Sequence, residues 1–102
     1  MKISLNDTRL SNLLAKGWTL TPNAHGMTRH WQFADFTTAF SFMTQSAFFA
    51  EKWNHHPDWR NSYAQVWVTL TTHDAGGLTD LDLKLADKME TLSWTFPHSQ
   101  AG

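Results

Sequence analysis

The chain has 102 residues, the size of one ordinary domain, and we expect a single domain over residues 1–102. It contains no cysteine, which excludes disulfides and thiolate chemistry and restricts any metal to histidine and oxygen ligands. Eight basic and nine acidic side chains give a formal net charge of −1, without a basic cluster that could follow a phosphate backbone. We therefore expect no direct nucleic-acid partner.

Apolar patterning gives expectations about location and assembly. No stretch resembles a signal-peptide core or approaches the roughly twenty apolar residues of a membrane-spanning helix, so we expect a cytoplasmic protein without a membrane partner. Six tryptophans and seven phenylalanines are more aromatic surface than a small core requires. The excess favours a ligand pocket or a subunit interface, and we expect a homodimer or homotetramer.

The chain begins with a predicted helix near residues 8 to 16. Asn6 or Asp7 can cap its amino end, and its leucines fall on one face. Gly17 stands where a left-handed residue would end it. These signals together predict a short amphipathic helix.

A hairpin and a long helix are predicted next. Polar and apolar side chains alternate over residues 27–33, and a turn-forming segment separates this strand from a shorter one at residues 18–20. From Phe36 to about Trp53 the sequence contains no Gly or Pro and forms the longest predicted helix. Its apolar residues surround the cylinder, so we expect one face to cover the sheet and another to meet a second subunit.

A second hairpin is predicted after the long helix. Pro57 disfavours helical dihedral angles at His56, so the helix ends before it and the chain becomes extended. Alternating side chains then indicate two strands joined near Ala64. In an antiparallel hairpin, positions equidistant from the tip are neighbours, which brings His55 and His56 beside His73.

The last predicted helix follows a turn that contains two glycines. Thr79 can cap this helix, and Asp82 stands at the capping-box position three residues later. The carboxylate is thus placed near the histidines, where it can stabilise the helix or orient an imidazole. The tail beyond Trp94 has no periodicity, and we expect it to fray.

The histidine cluster is the strongest indication of function. Imidazole both gives and takes protons near neutral pH, so His55, His56 and His73 at one end of a hairpin indicate acid/base chemistry. Adjacent residues of an extended segment point to opposite sides, which disfavours metal binding by the doublet. No Ser or Thr of the sequence stands in a recognisable strained elbow, so a nucleophilic mechanism is not indicated. The remaining histidines are assigned to surface or turn positions: His25, His30 and His98.

Three motifs between residues 50 and 86 together resemble those of a known protein family. They are Asn-His-His-Pro-Asp-Trp at 54–59, Leu-Thr-Thr-His at 70–73, and Gly-Leu-Thr at 77–79 followed by Asp82. Together they resemble the pterin-4a-carbinolamine dehydratase family. The resemblance implies an α+β fold, a four-stranded antiparallel sheet with helices packed on one face, in the order α-β-β-α-β-β-α. The element order predicted above is the same.

The resemblance also implies an activity. Family members remove water from 4a-hydroxytetrahydropterin, the product of aromatic amino-acid hydroxylases, giving quinonoid dihydropterin without a metal or organic cofactor. His55, His56 and His73 match the family's active-site histidines. Pro57, Asp82 and Trp18 match residues that line or support the pterin pocket. We expect His73 and His55 to divide the acid and base roles while His56 holds the pterin by hydrogen bonding.

Two alternatives stay open on the sequence alone. Animal members of the family also act as dimerisation cofactors of a homeodomain transcription factor, through the helix surface that builds their tetramer. The phenylalanine-rich helix from Phe36 to Phe49 could serve as such a protein-binding module. The second alternative is a dehydratase-like protein that acts on another pterin.

Overall fold

A computed structural model describes residues 1–99 as three α-helices and one four-stranded antiparallel sheet. The helices are α1 (Thr8–Ala15), α2 (Phe36–Lys52) and α3 (Asp80–Ser93), and the strands are β1 (Thr19–Leu20), β2 (Met27–Gln32), β3 (Asp58–Ser62) and β4 (Gln65–Leu70). The strands lie in the order β1-β2-β4-β3. The predicted fold class, with helices on one face of the sheet, and the predicted element order are confirmed.

The core lies between the sheet and the helices. Every second residue of β4 is buried, and Val66, Val68 and Leu70 join one hydrophobic core with residues of all three helices. The Phe42 ring of α2 packs against Trp31 and Phe33, with ring centroids 4.8 and 5.0 Å apart. The alternation predicted for these strands therefore selects the face that meets the helices.

Helix α2 has one covered side and one exposed side. Its buried residues are spaced by three or four positions: Ala39, Phe42, Ser46 and Ala50. Phe36, Phe40 and Phe48 are exposed on the remaining surface. The prediction that one face covers the sheet is confirmed, and contact of the other with a second subunit stays a prediction. Within residues 1–99, no helix combines the length and apolar character needed to cross a membrane.

Asp35 caps the amino end of α2. Its Oδ1 accepts hydrogen bonds from the backbone N–H of Thr38 at 2.8 Å and from the hydroxyl of Thr37 at 3.1 Å. These bonds, chiefly those from Thr38, hold the pKa of Asp35 below its ordinary value of 3.8. The ionised carboxylate is therefore the form that stabilises the helix.

We expect Asp35→Ala to lower the melting temperature near neutral pH. A carboxylate with a depressed pKa contributes its full stabilisation above the unfolded-state pKa and loses it as the pH falls through the folded-state value. The difference between variant and wild type should therefore shrink below pH 3.8. Thermal melts between about pH 7 and about pH 2 measure it. Asp35→Asn, which keeps a capping oxygen, is the control, and a loss independent of pH would contradict the assignment.

The carboxyl-terminal segment pairs with the end of β2. Ala34 donates its N–H to the carbonyl of Pro97 at 3.1 Å, and Ser99 donates to the carbonyl of Gln32 at 3.0 Å. The His98 ring stacks on Phe33, with centroids 5.1 Å apart. The prediction of a frayed tail is wrong for residues 95–99, because backbone pairing holds a segment that has no periodicity of its own. The last part of that prediction, residues 100–102, lies outside the described residues.

Candidate active site

Asp82 is the centre of a buried hydrogen-bond network at the amino end of α3. The side chain is fully buried, and its Oδ2 accepts from the backbone N–H of Thr79 at 2.9 Å and from the Thr72 hydroxyl at 2.7 Å. Its Oδ1 lies 2.6 Å from Nε2 of His55. The predicted capping box of Thr79 and Asp82 is present. One carboxylate thus both starts a helix and holds an imidazole.

The network fixes the His55 ring. A carboxylate accepts hydrogen bonds, so the tautomer of His55 that suits this contact carries its hydrogen on Nε2. The His55 side chain is 11% exposed, and within residues 1–99 its Nδ1 has no hydrogen-bond partner. The ring therefore has one orientation and leaves Nδ1 free to exchange a proton.

A left-handed residue positions His55 at the end of α2. Asn54 has a φ of 50°, a region that Asn enters more readily than most residues. The N–H of His55 then donates to the carbonyl of Ala50 at 3.0 Å. After this turn, the half-buried Pro57 leads directly into β3. The helix therefore ends through Asn54 and not solely because of Pro57.

His56 is exposed, and its hydrogen bond is to a residue outside the Asp82 network. Its Nε2 is 2.9 Å from Oε1 of Glu51, and the two side chains are 57% and 83% exposed. A side-chain contact this open to solvent contributes little to stability. The imidazole can therefore exchange Glu51 for another partner.

His73 begins the short 3₁₀ turn that follows β4. Its neighbour Thr72 shares Asp82 with His55, so the two chain segments approach each other as the hairpin predicts. Among residues 1–99, no hydrogen bond joins His73 to His55 or His56, and no three His, Asp or Glu side chains could hold one metal ion. A cavity shared by the three imidazoles stays a prediction.

Trp18 lies in the core, away from the Asp82 network. Its Nε1 donates to Oε1 of Glu90 at 2.8 Å, and its ring packs edge-on against Trp31 with centroids 5.6 Å apart. The residue is 2% exposed. Trp18 is therefore a core residue, and its support of a pterin pocket stays a prediction.

Thr72 is a member of the Asp82 network that the sequence motifs do not predict. This residue continues the inward positions of Val66, Val68 and Leu70 with a hydroxyl in place of an aliphatic side chain. Thr72 is half-buried, and a polar group withdrawn from water requires a hydrogen-bond partner, which Asp82 provides. A hydroxyl at an inward position of a strand is the signal that could have identified it.

Sequence comparison identifies the family. A family model described as pterin 4 alpha carbinolamine dehydratase matches residues 3–92. The chain belongs to this family. The match spans the whole Asp82 network and all three site histidines, so the resemblance found in the sequence motifs is confirmed at the level of the family.

Relatives of this dehydratase-family chain share much of its length. A protein of Dinoroseobacter shibae, provisionally named pterin-4-alpha-carbinolamine dehydratase, is 50% identical over 90 residues, covering 88% of this chain and 93% of that protein. A protein of Rhizobium leguminosarum with the same provisional name is 57% identical over 74 residues, covering 72% and 73%. The crystal structure of a transcriptional coactivator/pterin dehydratase from Brucella melitensis has a TM-score of 0.81 and 40% identity, covering 91% and 99%.

A more distant structure shares the fold. A pterin dehydratase-like protein, described as a RuBisCO assembly factor in the alpha-carboxysome, has a TM-score of 0.66 and 15% identity, covering 76% of this chain and 89% of that one. At this identity the likeness concerns the fold alone. Because one fold serves several functions, the activity has to be argued from the site.

Proposed function

We propose that this protein removes water from 4a-hydroxytetrahydropterins by general acid/base catalysis, which would recycle the cofactor of aromatic amino-acid hydroxylases. The observation that carries the proposal is the buried Asp82 carboxylate, which fixes one ring nitrogen of His55 within the segment that carries the family's motifs. A structural cap needs no imidazole partner. The pairing instead suits a side chain that has to hold and release a proton in one orientation.

The reaction requires two proton movements at adjacent atoms of the pterin. One proton goes to the hydroxyl on C4a as the C–O bond breaks, and water leaves. Another leaves N5, and its electron pair forms the C4a=N5 double bond of quinonoid dihydropterin. An imidazolium can supply the first proton and a neutral imidazole can accept the second. After the reaction the two rings have swapped their protonation states, and proton exchange with solvent restores the starting states.

The three histidines differ in the roles for which they are suited. His55 is assigned as the base, because Asp82 fixes the hydrogen on Nε2 and leaves Nδ1 as an acceptor. The exposed His73 is assigned to protonate the departing hydroxyl, and the exposed His56 to hold the pterin ring. Pro57 disfavours helical dihedral angles at His56 and so keeps that residue extended.

Turnover of 4a-hydroxytetrahydrobiopterin tests the proposal directly. An aromatic amino-acid hydroxylase generates the compound, and stopped-flow absorbance follows its loss with and without this protein. We expect a rate that exceeds the spontaneous reaction and saturates with substrate. An equal concentration of an unrelated protein is the control. Decay at the spontaneous rate at every protein concentration would reject the proposal.

Thr72→Val is expected to lower kcat by about tenfold. The substitution removes the hydrogen bond from the Thr72 hydroxyl to Asp82, which helps to orient the Asp82–His55 pair. KM should change little, because Thr72 acts through Asp82 and not on the pterin. Thr72→Ser keeps the hydroxyl and is the matched control. Steady-state kinetics of the two variants measure the effect, and equal kcat values would show that the hydroxyl does not position the pair.

Protein binding is a second candidate function, favoured by the exposed side of α2. Phe36, Phe40 and Phe48 are 43%, 54% and 69% exposed, which is unusual for phenylalanine. The related Brucella protein is described as a transcriptional coactivator as well as a pterin dehydratase. Analytical ultracentrifugation of the double variant Phe40→Ser, Phe48→Ser tests this surface. Self-association should weaken relative to wild type, and unchanged association would argue against it.

A further inference from the structure

A small cavity lies beside His73, between the turn that joins β1 to β2 and the end of β4. Its volume is about 220 Å³, and two of its walls carry imidazoles, those of His25 and His73. The other walls include hydroxyl-bearing residues and one tightly packed glycine: Thr21, Thr69, Thr71 and Gly26. A histidine assigned from the sequence to a surface turn thus faces the same opening as a predicted site residue.

The turn that carries His25 is held in one conformation. The Thr21 hydroxyl accepts from the backbone N–H of Gly26 at 2.8 Å, and the Thr71 hydroxyl donates to the carbonyl of His25 at 2.5 Å. Gly26 packs so closely on β4 that a Cβ there would lie 2.8 Å from the carbonyl oxygen of Leu70. The position of His25 relative to the end of β4 is therefore set by the fold.

Both imidazoles of the cavity are available to a ligand. His25 and His73 are exposed, and within residues 1–99 neither ring makes a hydrogen bond, an ion pair or a ring contact. Each ring can therefore present a donor and an acceptor to a bound molecule. No packing role in the described part of the chain accounts for the His25 ring.

The size of the cavity suits a substituent of the substrate and not the whole bicyclic ring. Small-molecule sites usually enclose about 300–1,000 Å³, and this cavity encloses about 220 Å³. The proposed reaction changes bonds at C4a and N5, and N5 is bonded to C6, the carbon that carries the pterin side chain. A pterin with its reacting atoms at His73 would therefore bring its C6 substituent close to the neighbouring wall.

We infer that His25 hydrogen-bonds a hydroxylated C6 substituent and makes this protein prefer pterins that carry one. The inference rests on the proposed function. An imidazole offers one donor and one acceptor to adjacent hydroxyl groups. A site that hydrogen-bonds a substrate hydroxyl discriminates against analogues that lack it. His25 is thus a specificity residue, separate from the residues that move protons.

The test compares two substrates with the same reacting atoms. One is the 4a-hydroxy derivative of tetrahydrobiopterin, whose C6 side chain carries two hydroxyl groups, and the other is that of 6-methyltetrahydropterin, whose side chain carries none. His25→Ala is expected to lower kcat/KM for the first by about tenfold, mainly through KM, and to leave the second unchanged. His25→Leu should behave in the same way, whereas His25→Gln should keep most of the preference.

A matched control and the wild type separate the possible outcomes. His30→Ala removes an exposed imidazole that stacks on Trp67 outside the cavity, and should alter neither substrate. Equal losses for both substrates, or no loss for either, would overturn the inference while wild-type turnover keeps the proposed function intact. A wild type that leaves both compounds at their spontaneous rates would reject the proposed function and the inference with it. If His25→Ala misfolds by circular dichroism, His25→Leu decides.

Discussion

His55→Ala is expected to lower kcat for carbinolamine dehydration by about 10²–10⁴-fold, the usual effect of removing a positioned acid or base. His73→Ala should cause a loss of similar size, because protonation of the hydroxyl and deprotonation of N5 belong to the same turnover. His56→Ala should chiefly raise KM, since its proposed role is to hold the ring. Stopped-flow decay of 4a-hydroxytetrahydrobiopterin measures all three variants against the spontaneous rate.

The control for these variants is an imidazole on the sheet surface. His30 is exposed and stacks on Trp67 with ring centroids 4.8 Å apart, so His30→Ala removes a histidine without touching the Asp82 network. It should keep the wild-type kcat. If His55→Ala and His73→Ala also keep it, or if His56→Ala keeps the wild-type KM, the assignment of roles is wrong.

Coupling between His55 and Asp82 gives a sharper version of the same test. In Asp82→Asn the amide group can donate to Nε2, which would leave the hydrogen of a neutral His55 ring on Nδ1. The loss of kcat should therefore be large. It should not add to the loss in His55→Ala, because the two residues act as one unit. Additive losses in the double variant would show that Asp82 acts independently of this histidine.

Much of the fold could be predicted because its signals are local. Asp7 and Gly17 mark the two ends of α1, and the capping box of Thr79 and Asp82 marks the start of α3. Each signal works within one helical turn, where the chain supplies its own hydrogen-bond partners. The order of elements follows from such signals together with the alternation in the strands.

The interactions that the sequence does not predict join positions far apart in the chain. Thr72 meets Asp82 because the end of β4 lies beside the start of α3, and residues 97–99 pair with the chain at the end of β2. Apolar Leu81 of α3 is 39% exposed, while Glu90 on the same helix is buried. Helical spacing identifies a buried face only when the buried residues are apolar, and here two buried positions are carboxylates.

Glu90→Ala is expected to lower the free energy of unfolding by about 3–5 kcal/mol, the usual cost of removing one partner of a buried ion pair. The Glu90 side chain is 2% exposed and accepts from Nε of Arg29 at 3.0 Å. It also accepts from the indole nitrogens of Trp18 and Trp94, at 2.8 and 2.9 Å. The substitution leaves four N–H groups without their acceptor: Nε and Nη2 of Arg29, whose side chain is 19% exposed, and the two indole N–H groups. Urea denaturation followed by circular dichroism measures the change.

Replacing both charged partners separates the ion pair from the packing around it. The double variant Glu90→Leu, Arg29→Met should be more stable than Glu90→Ala, because no uncompensated charge remains in the core. If the double variant is the less stable of the two, the carboxylate contributes chiefly through Trp18 and Trp94. The Glu90 cluster shares no residue with the Asp82 network, so kcat and KM of the folded fraction should stay at wild-type values. A raised KM would instead show that Trp18, fixed by Glu90, supports the pterin pocket from within the core.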